Sequence, residues 1–139
     1  MADGGAPAGI RLCLAHLNTA AADGQNLDAR AQMQVAASMG AVAFQKDLGM
    51  MHSLAHPLSA RHGTHHGLAN ALMLPNSMAF IEAANFTAAQ LQRIQTIRTL
   101  FAEAGRPGDS LADETRTWFE ELGIQFGLKN HGITADDLG

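Results

Sequence analysis

Met51-His-Ser-Leu-Ala-His-Pro-Leu-Ser-Ala-Arg-His-Gly-Thr-His-His-Gly67 holds His52, His56, His62, His65 and His66, five of the chain's seven histidines, and no carboxylate. His52 and His56 are four residues apart, so a helix presents both on one face. His66 opens the next apolar segment, and a helix–turn–helix can bring it to the same point. Imidazole suits zinc, iron, copper or nickel. It ligates as the neutral ring, and its second nitrogen needs a hydrogen-bond partner. Any acidic ligand would have to come from elsewhere in the chain or from outside it. The same spacing also fits histidines that only satisfy hydrogen bonds. His65 and His66 are adjacent and point in different directions, so they do not form a ligand pair. His62 and His65 read as turn residues, while His16 and His131 lie apart and carry no motif.

Working outward, the pattern is helical on both sides. Residues 1–8 read as a frayed Gly/Ala/Pro lead. Ile10, Leu12, Leu14 and Leu17 begin a helix that ends near Asp23-Gly24. Asn26 is the expected N-cap of a helix over 27–44, with Met33, Ala36, Ala37, Gly40, Ala41 and Phe44 on one side. Val35, Met39 and Val42 fall off that stripe, so this helix is expected to be buried on most sides. Residues 46–49 read as a break. A short helix follows over 50–56, and Pro57, which cannot donate to the Ser53 carbonyl, kinks it or frees that carbonyl for other work. A polar turn spans 61–64. Residues 65–74 form a helix that Pro75 ends or redirects, and 76–84 make another. Thr87-Ala-Ala-Gln90 is a capping box for a helix reaching about Glu103, with Leu91, Ile94, Ile97 and Phe101 on its apolar face. Gly105-Arg-Pro-Gly108 is a stop. Asp109 or Ser110 caps a helix to Leu122 with Trp118, Phe119 and Leu122 inward, closed by Gly123. Thr134-Ala-Asp-Asp137 starts a last helix. The loose start and the abrupt end suggest a piece of a longer protein.

Composition agrees. Hydrophobic residues make up 47% of the 139 and charged residues 16%, which excludes disorder and supports a close-packed core. Aromatics are only 5%, with small residues in their place, so closely packed helices are expected rather than a β-sandwich. No strand pattern and no Gly-x-Gly-x-x-Gly unit occurs. The expected fold is all-α, a single helical domain over 1–139. The net charge of −4 with no basic run excludes nucleic acid as a partner. No segment is long and apolar enough for a membrane, and no signal peptide is present. The lone Cys13 fits a core position and a reducing compartment, so a cytoplasmic location is expected.

Two segments carry a resemblance. Ala43-Phe-Gln-Lys-Asp-Leu-Gly-Met-Met-His-Ser-Leu-Ala-His-Pro-Leu58 and Thr64-His-His-Gly-Leu-Ala-Asn-Ala-Leu-Met-Leu-Pro75 together resemble the signature of iron-containing (group III) alcohol dehydrogenases. That signature runs G-x-x-H-x-x-x-H-P-L-[GS]-A, then H-G-x-x-N-A-x-x-x-P. The resemblance implies the helical, dehydroquinate synthase-like C-terminal domain of an enzyme whose N-terminal α/β domain binds NAD(P). It implies that His52 and His66 are metal ligands, for ferrous iron or zinc, and that His56 serves a catalytic proton relay. It implies that Phe44 lies near the nicotinamide, and that Gly67 and Asn70 shape the site. The family's other two ligands form Asp-x-x-x-His, and no such motif precedes His52; four residues before His16 stands Leu12. The Gly-rich cofactor loop is absent as well.

The chain is thus expected to supply half a metal site to an oxidoreductase that interconverts an alcohol with an aldehyde or ketone. Its partners would be that small molecule, the missing N-terminal NAD(P)-binding domain and further copies of itself in a homo-oligomer. Alone it is expected to be inactive. The alternative is a non-enzymatic helical module that binds metal through His52, His56 and His66 or associates through exposed apolar surface.

Overall fold

The computed structural model describes residues 2–44 and 49–138, leaving aside the side chains of 2–4, 44 and 138. Six α-helices run along the described residues: α1 Ala2–Ala22, α2 Leu27–Phe44, α3 Met50–His62, α4 His66–Ala83, α5 Ala88–Glu103 and α6 Leu111–Glu121. Two 3-10 turns follow, Leu128–His131 and Ala135–Leu138, and no strand occurs among the described residues. The all-α expectation holds. The helices gather into two compact units, one of α1, α2 and α5 and the other of α3, α4, α6 and the 3-10 turns.

In the first unit, α1 lies against α2 through small residues. A Cβ on Gly9 would stand 3.4 Å from the Ala36 carbonyl oxygen and from the Met39 Cβ, so the two helices meet there in close contact. This packing explains why the expected frayed lead is instead helical from Ala2, with Pro7 inside α1. Contact with a neighbouring helix outweighs the hydrogen bond that a proline removes. Asn26 caps α2 as expected, its Oδ1 accepting from the Ala29 N–H at 3.0 Å. The expected burial of α2 on most sides is corrected. Ala29 and Ala36 are buried, whereas Leu27 is 76% exposed and Val35 and Val42 also face outward. One neighbour covers one stripe, and the off-stripe residues stay outside. The expected break at 46–48 lies outside the described residues. Thr87 and Gln90 form the expected capping box of α5, in which the Gln90 N–H donates to Thr87 Oγ1 and the Thr87 N–H to Gln90 Oε1. Arg11 of α1 pairs with Glu103 of α5 at 2.6 Å.

In the second unit, Ala55, Leu58, Ala69 and Ile133 form the core, flanked by Met73 and Leu128. Both helices of this unit run further than expected. α3 continues through Pro57 to His62, and α4 continues through Pro75 to Ala83, so two expected helices are one. Pro75 is fully buried. Its packing holds the helix together where the sequence reads a stop. α3 ends at Gly63, whose φ of 66° is the left-handed conformation that glycine adopts without Cβ strain. Ser110 caps α6 by accepting from the Asp113 N–H at 3.2 Å, and Trp118 is buried on its inner face.

Candidate metal centre

The site is built by the α3–Gly63–α4 hairpin. Ala55 lies between His52 and His56 in α3, and Ala69 lies one turn beyond His66 in α4; both alanines are wholly buried. Small side chains at these positions let the two helices come close, as alanine and glycine do at helix contacts. Gly63 turns the chain back, and α4 starts three residues later with His65 as its N-cap.

This hairpin brings three imidazoles together. The ring centroids of His52 and His56 are 5.9 Å apart, those of His52 and His66 5.6 Å, and those of His56 and His66 5.4 Å. His56 and His66 are exposed and His52 half-buried. Burial and the neighbouring His66 and His56 hold the His52 ring below the usual histidine range, which favours its neutral, ligating form. His66 has a hydrogen-bond neighbour on each nitrogen. Ser59 Oγ lies 3.5 Å from Nδ1 and Asn70 Nδ2 lies 3.1 Å from Nε2.

The donor set is nitrogen only. Among the described residues, no group of three or more His, Cys, Asp or Glu side chains is arranged to hold a metal ion. Three imidazoles with no carboxylate or thiolate beside them offer a metal ion at most part of its coordination sphere, and the closed His52–His56–His66 site of the alternative reading finds no support in this geometry. His62 and His65 stand at the turn, as expected. His131 donates to the Gln125 carbonyl at 2.7 Å, a contact within its own loop. The Phe44 side chain, expected near a nicotinamide, lies outside the described residues.

With this geometry in place, the whole chain from 1 to 139 matches the Fe-containing alcohol dehydrogenase family, C-terminal. The chain belongs to the iron-containing alcohol dehydrogenase family. It is 37% identical over 141 residues to 4-hydroxybutyrate dehydrogenase of Cupriavidus necator, covering 97% of this chain and 36% of that protein. It is 29% identical over 119 residues to lactaldehyde reductase of Escherichia coli (strain K12), covering 80% and 30%. Similarity to NAD-dependent methanol dehydrogenase of Bacillus methanolicus is 28% over 136 residues, covering 93% and 34%. The iron-containing alcohol dehydrogenase segment thus spans about a third of the length of these relatives. No solved structure matches it.

Two groups in this alcohol dehydrogenase segment escaped sequence reading. Ser59 sits against His66 although seven residues precede it, a pairing that needs the hairpin. Glu82, at the end of α4, receives the start of α6. Its Oε1 accepts from the Leu111 N–H at 2.8 Å, and Oε2 from Ser110 Oγ at 3.1 Å and the Ala112 N–H at 3.2 Å. No spacing signal announces a carboxylate 28 residues ahead of the cap that it serves. Asn70, which the family resemblance marked as a residue that shapes the site, stands four residues after His66 on the same helix face.

Proposed function

We propose that this chain is the metal-ligating helical part of an NAD(P)-dependent, metal-dependent alcohol dehydrogenase that interconverts an alcohol with an aldehyde or ketone. The convergence of His52, His56 and His66 carries the reading, since two helices bring three imidazole rings within 6 Å of one another. His52 and His66 are the two ligands of a ferrous or zinc ion, which when bound supplies a Lewis acid for the substrate oxygen. His56, beside both, accepts and releases the proton exchanged with solvent. Phe44 stands near the nicotinamide. The ligands that complete the site and the dinucleotide site belong to an N-terminal domain, with which residues 1–139 act as one helical domain in a cytoplasmic homo-oligomer. The similarity to 4-hydroxybutyrate dehydrogenase makes short hydroxy acids and their aldehydes the first substrates to offer the complete enzyme.

Two imidazoles leave most of a coordination sphere to water, so the chain alone binds weakly beside a site with three or four protein ligands. The test is an anaerobic titration of the purified chain with ferrous iron and with zinc, beside the double variant His52→Ala/His66→Ala. Weak binding lost in the double variant, with no nicotinamide-linked turnover, is the expected result. Binding indifferent to the double substitution overturns the ligand assignment, and turnover by the chain alone overturns its dependence on a second domain. In the complete enzyme, His66→Ala is expected to abolish metal retention.

A further inference from the structure

The core of the α3–α4 hairpin is completed from outside it. Ala55 and Ala69 are wholly buried and bring one methyl group each. The large side chains buried with them are Leu58, later in α3, and Ile133, from the C-terminal loop. Ile133 is 2% exposed and among the largest fully buried side chains of the described residues. The loop that delivers it is closed by its own hydrogen bonds. Asn130 Nδ2 donates to the Phe126 carbonyl and His131 to the Gln125 carbonyl, each at 2.7 Å, and the Ile133 N–H donates to the Leu128 carbonyl at 3.1 Å. Gly132, with a φ of 73°, takes the left-handed conformation just before Ile133. Past it, the Thr134 N–H and hydroxyl both donate to Asp137. The segment is thus a strap, shaped on both sides of one buried aliphatic residue.

Packed interiors hold little free volume, so the size of a shared side chain bears on how closely its neighbours approach. The neighbours of Ile133 are the turns that carry the histidines. Ala55 follows His52 by three residues, and Ala69 follows His66 by three. We propose that Ile133 is a positioning residue of the candidate metal centre: packed with Ala55 and Ala69, it sets the separation of α3 and α4 and with it the distance between the His52 and His66 rings. An aliphatic side chain has no donor atom, so it acts through the two helix turns and not by ligation. The consequence for metal binding rests on the reading of His52 and His66 as ligands; the effect on ring separation does not.

The experiment compares three variants of the chain by NMR. Ile133→Ala removes three carbons from the strap, and Ile133→Val removes one. Leu100→Ala removes three carbons from a buried position on α5, in the other compact unit, and controls for general loosening. Ring-to-ring nuclear Overhauser effects between His52 and His66 are read first without metal. Zinc chloride is then titrated while the ring signals of both histidines are followed. The Overhauser effects are expected to weaken in Ile133→Ala, to weaken less in Ile133→Val and to hold in Leu100→Ala. Zinc affinity at the two rings is expected to fall about tenfold in Ile133→Ala, the lower end of the range for groups that orient a metal ligand, and to hold in Leu100→Ala. Unchanged Overhauser effects in folded Ile133→Ala overturn the proposal, as does an equal loss in Leu100→Ala. Unchanged zinc affinity in Ile133→Ala, where the wild-type rings respond to zinc, removes Ile133 from the metal centre. If Ile133→Ala does not fold, Ile133→Val decides: weaker Overhauser effects support the proposal and unchanged ones overturn it. Wild-type His52 and His66 signals that ignore zinc overturn the ligand assignment instead, and the metal-free Overhauser effects still decide the role of Ile133.

Discussion

Ala69 shows how little room the candidate centre leaves. It is wholly buried one turn after His66, in the core with Ala55, Leu58 and Ile133. Ala69→Leu inserts three carbons into that contact, and overpacking of this kind costs ~1–3 kcal/mol. Urea denaturation is expected to show that loss, and ring-to-ring nuclear Overhauser effects between His52 and His66 are expected to weaken as α3 and α4 part. Asp137 supplies the pH dependence. The Thr134 backbone N–H and then its hydroxyl donate to the Asp137 carboxylate at 2.7 Å each, and with a smaller contribution from His62 they hold its pKa below the ordinary aspartate value. A carboxyl lowered on folding adds stability that is complete above its unfolded pKa and fades as pH falls through the folded one. The Thr134 amide signal is accordingly expected to titrate with a midpoint below that of an ordinary aspartate, and to lose the titration in Asp137→Asn. An unshifted midpoint would remove Asp137 from the group that holds the last turn.

One carboxylate of α4 closes the start of α6. Glu82 satisfies two N–H groups at the start of α6 and the hydroxyl of its cap, Ser110, with its charge at the positive end of the helix. Glu82→Ala leaves those donors without their partner and is expected to cost ~1–3 kcal/mol, read from thermal or urea unfolding. Hydrogen exchange at Leu111 and Ala112 is expected to accelerate beyond the global effect; unchanged exchange there would mean that water replaces the carboxylate without loss. The helix boundaries divide in the same way. The caps at Asn26, Thr87 and Ser110 were legible because each is a local contact between a side chain and an N–H three residues on. Pro75 misled, because a proline's effect is local in sequence whereas the packing that overrides it is not.

Across the chain, α2 leaves Leu27, Val35 and Val42 exposed, and Val35 and Val42 line a shallow cavity with Gly5, Ala31 and Met39. Exposed apolar area promotes association. The double variant Val35→Lys/Val42→Lys is expected to reduce self-association in sedimentation velocity while shifting stability by no more than about 0.5 kcal/mol per position, the usual range for surface changes. Equal association in both proteins would place the adhesive surface elsewhere. The sequence by itself determined the helical class, most of the caps and the three histidines of interest, because periodicity, capping and i, i+4 spacing act over a few residues and are written in them directly. Only the tertiary structure decided that α3 and α4 run through their prolines, that Ser59 reaches His66, that Glu82 closes α6 and that α2 is covered on one face. Each of these is a contact between residues brought together by packing, and its energy depends on which atoms meet, something that short-range pattern cannot encode.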